Sequence, residues 1–184
     1  MNIIYILIVL ILAAALIAAL FLRKKEKPVG TSEKKMEFEN AVFLPEIIKL
    51  LEEGHTATIL LKGYSMRPFL ESERDKAVLT KAGTPEVGKP VLAEIMPGRF
   101  VLHRIISIKG DEVTLLGDGN LHTEKCRLGD VKADVVGFYR KGRQTLDKTT
   151  DLKWRAYSRV WMALRPVRRY LLAFYRRIWL RFFD

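Results

Sequence analysis

The sequence predicts a mainly β domain that follows an N-terminal transmembrane helix and a short leading helix and precedes C-terminal basic amphipathic helices. Three observations support this prediction: an uncharged apolar run at the N-terminus, closely spaced β-rich segments between turn signals, and apolar residues three or four apart near the C-terminus. The chain has 184 residues, enough for one folded domain with additional segments. The predicted boundaries are 1–23 for the anchor, 24–39 for a linker, 40–140 for the β domain and 151–184 for the basic aromatic helices.

The N-terminal apolar run, residues 2–22, has the length of a membrane span. It carries no charge, and a helix needs roughly 20 apolar residues to cross the hydrocarbon core. A cleaved signal peptide is the alternative, but no Lys or Arg precedes the run, and it is longer than a usual signal core. Basic residues follow it at positions 23–27, and positive charge beside a span tends to stay in the cytoplasm. The charge pattern therefore predicts a single-pass protein with its body on the cytoplasmic side.

The segment after the linker predicts a short amphipathic helix over residues 43–54, with Pro45 in its first turn and Gly54 as a left-handed stop. Strands follow, separated by turn signals such as Gly110-Asp111, which predicts a hairpin. The predicted strands are residues 56–62, 76–80, 90–95, 100–108, 112–116 and 131–139. Closely spaced strands of this kind indicate a mostly β domain.

The C-terminal segment, residues 151–184, predicts amphipathic helices that Pro166 breaks into two. Its apolar positions are rich in Trp, Tyr and Phe, and basic residues dominate the remaining positions. Much of the formal net charge of +11, from 32 Lys and Arg against 21 Asp and Glu, therefore lies here. Such a segment is typical of a membrane interface. Packing on the β domain and nucleic-acid binding are the alternatives; with an anchor present, we favour the membrane and expect no nucleic acid.

Cysteine content argues against a disulfide framework or a zinc site. Cys126 is the sole cysteine and cannot form an intramolecular disulfide, and it lacks the Cys and His neighbours that zinc needs. We expect neither a metal nor a cofactor.

Ser65 is the first candidate for chemistry. It follows a predicted strand and lies between Gly63 and Pro68, so it sits on a turn that can expose its hydroxyl. A serine hydroxyl needs a base within hydrogen-bond reach and donors aimed at the developing oxyanion. A serine in a loop flanked by Gly and Pro has an ordinary structural explanation as well.

His103 is the candidate base, although a lone histidine in an apolar strand is often only structural. Asp118 and Glu124 follow it in and after the turn Gly117-Asp118-Gly119-Asn120. An acid beside the imidazole can fix its tautomer and stabilise its protonated form. Asp and Asn in such a turn can equally cap the turn itself.

Read together, these stretches resemble a known family. The order Gly-x-Ser-Met-x-Pro around Ser65, Arg-Asp before an apolar strand, His-Arg at His103 and Gly-Asp-x-Asn at Asp118 is similar to the type I signal peptidases. Their clan also includes the self-cleaving SOS-response repressors. The match covers residues 56–136, a little under half of the chain.

The resemblance implies a signal-peptidase-like β domain and a subtype. Bacterial signal peptidases commonly have Lys where this chain has His103, whereas the endoplasmic-reticulum, archaeal and sporulation-type enzymes have His with a nearby acid. By this likeness Ser65 attacks the scissile carbonyl and His103 accepts and returns the proton. Asp118 matches the acid of the Gly-Asp-x-Asn motif. Glu124 matches a second acid six residues later, where Asp is usual, and either residue could orient His103. Many signal peptidases have a hydroxyl residue two positions before the nucleophile, and it helps form the oxyanion hole. This chain has Gly63 there, which resembles the repressor branch.

The motifs and the anchor together predict a membrane-tethered serine endopeptidase. The family resemblance implies that its substrate is an extended peptide or protein, with small residues preferred before the cut. Signal peptidases cut on the far side of the membrane, which conflicts with the cytoplasmic placement predicted by charge. A non-catalytic membrane-associated binding or scaffold protein on the same fold is the alternative. Self-cleavage in the linker is a third possibility, and a repressor is disfavoured because no helix-turn-helix pattern precedes the β domain.

Overall fold

The computed structural model describes residues 40–180, which belong to the larger of two compact units, Thr31–Asp184. The predicted anchor and the whole of the predicted linker lie outside the described residues. Within residues 40–180, no helix combines the length and the hydropathy needed to cross a membrane.

A leading helix, α1 (Asn40–Glu52), precedes the strands. It begins three residues earlier than predicted, so Pro45 lies inside the helix and not in its first turn, and that prediction was wrong. The predicted stop is confirmed: Gly54 has φ +91°, and its amide donates to the carbonyl of Leu51. Leu44 and Leu51 of this helix are buried.

The mainly β prediction is confirmed, because a curled, antiparallel, eight-stranded sheet follows α1. The strand order is β1-β2-β7-β3-β4-β5-β6, with β8 paired to the C-terminal half of β7. The strands are β1 (Ala57–Leu60), β2 (Lys76–Lys81), β3 (Pro90–Met96), β4 (Arg99–Lys109), β5 (Glu112–Leu116), β6 (Glu124–Arg127), β7 (Val131–Tyr139) and β8 (Leu146–Lys148). The sequence predicted all of these except β6 and β8.

A core of β-branched and aliphatic side chains packs on the central strands β3, β4 and β5. Val91 and Ala93 of β3, Ile105 of β4, and Val113 and Leu115 of β5 are fully buried in one cluster. Register shifts between β4 and β5 and between β2 and β7 increase the local twist of the sheet. The hairpin predicted at Gly110 joins β4 to β5, and Gly110 has the positive φ that such turns need.

Two helices follow the sheet, α2 (Leu152–Ala163) and α3 (Arg168–Phe174), and a 3-10 turn at Arg165–Val167 separates them. The break predicted at Pro166 is therefore confirmed, and a π-helical turn, Tyr175–Trp179, continues the segment. Trp154, Tyr157 and Trp161 of α2 are buried, and the Trp154 ring lies 4.9 Å from that of Phe138 on β7. Packing on the β domain, the alternative weighed above, accounts for these aromatic residues. Tyr170 and Phe174 of α3 are exposed among arginines, so a membrane contact by this segment stays a prediction.

Candidate functional site

Ser65 lies on the turn between β1 and β2, and both ends of that turn are fixed. Gly63 adopts φ +89°, and its amide donates to Oγ of Ser72 (2.9 Å). At the far end, the buried Asp75 carboxylate accepts hydrogen bonds from the amides of Glu71 and Lys141, each at 2.9 Å. The turn therefore presents the half-buried Ser65 on a defined backbone rather than on a loose loop.

His103 is buried in the middle of β4, paired with Val91 of β3, and is only 3% exposed. Its Nδ1 lies 2.6 Å from Oε2 of Glu124, which is the first residue of β6. Burial lowers the pKa of His103 below its ordinary value of 6.5, and the neighbouring Glu124 carboxylate opposes that shift. Burial therefore favours the neutral form of the ring. With Glu124 at Nδ1, the nitrogen left to accept a proton is Nε2.

Gly117 is the point at which Ser65 and His103 come together. A Cβ at this position would lie 2.9 Å from Nε2 of His103 and 2.5 Å from the carbonyl oxygen of Ser65, closer than real Cβ atoms approach. The absence of a side chain is what allows the turn to pack under both residues. Ser65 and His103 also line one cavity of about 120 Å³.

The neighbouring Gly119 fastens this turn to the Ser65 turn. Its amide donates to the Ser65 carbonyl at 2.7 Å, and the Asn120 amide closes the turn onto the Gly117 carbonyl at 3.0 Å. A Cβ at Gly119 would lie 2.8 Å from the carbonyl oxygen of Tyr64. The two backbones are therefore in contact, and the loop Gly117–Asn120 fixes the position of Ser65.

Of the two candidate acids, Glu124 contacts His103 and Asp118 does not serve as its hydrogen-bond partner. The Asp118 carboxylate accepts from Nε (3.0 Å) and Nη2 (2.7 Å) of Arg104, and both side chains are completely buried. Burial alone would lower the pKa of Arg104, but the charge and hydrogen bonds of Asp118 raise it above its ordinary value. Asp118 is thus the centre of a buried ion pair behind the site.

Sequence reasoning missed the residues that complete this ion pair. Tyr157 donates its hydroxyl to Asp118 Oδ2 at 2.9 Å, and Ser158 Oγ lies 2.7 Å from Nη1 of Arg104. Burial raises the pKa of Tyr157, so the hydroxyl keeps its proton and remains a donor. The available signal was Arg104 itself, a cation in an apolar strand that requires a buried acid.

The site opens into a groove between β4 and the segment 61–65, which ends at Ser65. Strand β5 pairs with β4 only over Arg104–Lys109, so among the described residues the stretch before it is paired on the β3 side alone. Phe100 and Leu102 of that stretch line the 120 Å³ cavity with Met66 and Leu70. An extended peptide could therefore pair with the open edge of β4 and place a small apolar side chain in the cavity.

The backbone amide of Ser65 is a candidate donor to an oxyanion. Within residues 40–180 it donates no backbone hydrogen bond, whereas the Gly63 amide is taken by Ser72. No group of three or more His, Cys, Asp or Glu side chains in the described part of the chain is placed to hold a metal ion. The chemistry available from the described residues is that of a serine, a neutral imidazole and a carboxylate.

Comparison with known proteins adds no relative to this description. No protein-family model, curated protein or solved structure matches the chain. The case for function consequently depends on the geometry around Ser65, His103 and Glu124.

Proposed function

We propose that the protein is a membrane-bound serine endopeptidase of the signal-peptidase type, in which Ser65 is the nucleophile and His103 the general base. The observation that carries the proposal is the convergence on Gly117: Nε2 of His103 and the Ser65 backbone lie against the same glycine, while Glu124 lies against Nδ1. A structural histidine does not need this combination of a carboxylate on one nitrogen and a half-exposed serine near the other.

The proposed reaction follows from this arrangement. Ser65 Oγ attacks the scissile carbonyl carbon while Nε2 of His103 takes the hydroxyl proton, and the Glu124 carboxylate stabilises the resulting imidazolium. The Ser65 amide donates to the oxyanion. His103 then gives its proton to the leaving amine as the C–N bond breaks. In the second half of the reaction, His103 takes a proton from the attacking water and returns it to Ser65 Oγ as the acyl–oxygen bond breaks.

The substrates we propose are signal-peptide-like or membrane-proximal segments. An extended backbone suits the open edge of β4, and a cavity of about 120 Å³ suits a small side chain near the cut bond.

The apolar run at residues 2–22 supports a single-pass location in the cell membrane, and its basic flank favours the cytoplasmic side for the body. Exposed Tyr170 and Phe174, together with the arginines beside them, support a contact between the C-terminal helices and anionic lipid.

The test is covalent labelling of purified full-length protein in detergent micelles with a serine-directed acylating probe. We expect one probe per chain, mapped by mass to the peptide containing Ser65, and no labelling of Ser65→Ala. Ser107→Ala, which changes a serine on the same strand as His103, is the matched control and should label like the wild type. Absence of labelling in folded wild type would reject the peptidase and favour the non-catalytic binding protein.

The pH dependence provides a second prediction. Because burial lowers the pKa of His103, the acid limb of the acylation rate should lie below pH 6.5. Replacing Glu124 with Gln removes the charge that raises this pKa, so the limb should move to still lower pH. The plateau should also fall, by about 10²–10⁴-fold, because an amide neither fixes the tautomer nor stabilises the imidazolium as a carboxylate does.

The measurement is the probe-labelling rate from pH 4 to 9 in wild type, Glu124→Gln and the control Glu112→Gln. Glu112 pairs with Lys125 on the surface of the same β5–β6 hairpin and should leave the limb unchanged. An acid limb that moves to higher pH in Glu124→Gln would contradict the assigned contact.

A further inference from the structure

The C-terminal helices hold the loop Gly117–Asn120 through hydrogen bonds to its backbone. Trp161 Nε1 donates to the Asp118 carbonyl at 3.1 Å, and Arg176 Nη2 donates to the Gly119 carbonyl at 3.0 Å. Both acceptors are backbone atoms, and Tyr157 adds its bond to the Asp118 side chain. The segment therefore restrains the course of the loop backbone itself.

Gly119 transmits this restraint to the candidate nucleophile. Its carbonyl accepts from Arg176, and its amide donates to the carbonyl of Ser65 at 2.7 Å. Gly119 is thus the single residue that links Arg176 to Ser65. Because a glycine backbone is otherwise the least restrained in the chain, the partners on both of its sides decide its conformation.

The Ser65 turn has a second attachment to the same helices. Phe69, four residues after Ser65, is 3% exposed, and its ring centroid lies 3.7 Å from that of Tyr157 and 5.3 Å from that of Trp161. Helix α2 therefore contacts both the loop below Ser65 and the turn that carries it. Ser158 ties the same helix to Arg104, the residue after His103 on β4, at 2.7 Å. Helix α2 therefore joins the elements that carry Ser65 to the strand that carries His103.

We infer that residues 152–180 form a positioning clamp for Ser65, in which Arg176 and Trp161 are positioning residues. The inference rests on the proposed function and extends it: the clamp sets the separation of Ser65 Oγ from Nε2 of His103. Proton transfer needs that separation to be a hydrogen-bond distance, and a misplacement of about 1 Å can cost about a hundredfold in rate.

The experiment compares acylation kinetics of the full-length wild type with those of Arg176→Ala and Trp161→Phe. Trp161→Phe removes the indole N–H and keeps an aromatic ring beside Phe69. Arg177→Ala is the matched control, because Arg177 is exposed, as Arg176 is, but donates no bond to the loop among the described residues. Labelling is followed at several probe concentrations, which separates the maximal rate constant from the half-saturating concentration, and intact mass gives the final stoichiometry.

We expect the maximal rate constant to fall by about ten- to a hundredfold in both variants, with the half-saturating concentration and full final stoichiometry retained. The acid limb should stay where it is in the wild type, because Glu124 and His103 are untouched. Arg176→Lys should recover part of the rate, since an ammonium group can still donate to the Gly119 carbonyl. Arg177→Ala should label like the wild type.

Hydrogen exchange gives a readout that does not need activity. The Gly119 amide should exchange faster in Arg176→Ala than in Arg177→Ala, because its bond to Ser65 loosens. Unchanged rate constants, a loss confined to the labelled fraction, or an equal loss in Arg177→Ala would each overturn the clamp. Failure of the peptidase proposal is distinguishable, because the wild type itself would then not label, and the exchange of the Gly119 amide would still decide the clamp.

Discussion

Replacing His103 with Ala is expected to lower the rate constant for acylation at Ser65 by about a thousandfold or more. Without the imidazole, Ser65 must lose its proton to water, and a neutral serine hydroxyl is a weak nucleophile. The described residues offer no replacement base at that position, because Glu124 lies behind the ring at Nδ1. The loss should appear in the maximal rate constant, since the groove lining is otherwise intact.

The measurement is stopped-time labelling analysed by intact mass, on wild type and His103→Ala at pH 7.5 in the same detergent. His55→Ala is the matched control, because the His55 side chain follows helix α1, is 67% exposed and does not line the cavity of Ser65 and His103. Its rate should equal that of the wild type. A His103→Ala rate within tenfold of the wild type would show that another group activates Ser65, and the proposed Ser–His pair would be abandoned.

Replacing Asp118 with Asn should have the largest effect on stability, lowering the free energy of unfolding by about 3–5 kcal/mol. Arg104 would remain in the core with its charge and without an anionic partner, and both side chains are fully buried. This loss approaches the whole free energy of unfolding of a marginally stable domain. At the upper end of the range, we expect part of the protein to be unfolded at room temperature.

Urea denaturation followed by tryptophan fluorescence measures this difference, since Trp154 and Trp161 pack beside the ion pair. The control, Glu112→Gln, removes one carboxylate from the exposed pair with Lys125 and should cost less than about 1 kcal/mol. Equal effects of the two substitutions would mean that Asp118 does not neutralise Arg104. The assignment of Asp118 to the scaffold behind the site would then be wrong.

Much of the β domain could be predicted from the sequence, because its strands alternate in hydrophobicity and end at Gly and Pro. β5 and β7 were predicted with their observed bounds, and the hairpin at Gly110 followed from its turn residues. Strand β6 was missed because Glu124-Lys125-Cys126-Arg127 has no β-rich pattern. It forms a strand because the backbone of β5 pairs with it, and the residues of β6 alone do not predict that pairing.

The sequence by itself determined which residues are candidates for chemistry: a serine on a Gly- and Pro-flanked turn, a histidine in an apolar strand and two acids after it. It could not decide between the acids, because either Asp118 or Glu124 could reach His103 if the turn folded back toward it. The tertiary structure decided, since β6 pairing brings Glu124 to Nδ1 while the buried charge of Arg104 takes Asp118.

The same division applies to the C-terminal segment. Its helical period, its break at Pro166 and its basic character are local properties, and the sequence determined them. Only the tertiary structure showed that Trp161 and Arg176 end on the loop below Ser65, because neither residue differs in the sequence from the other aromatic and basic residues around it. A hydrogen bond across 43 or 57 residues depends on how the sheet curls and on where the helices pack, and no local pattern encodes that.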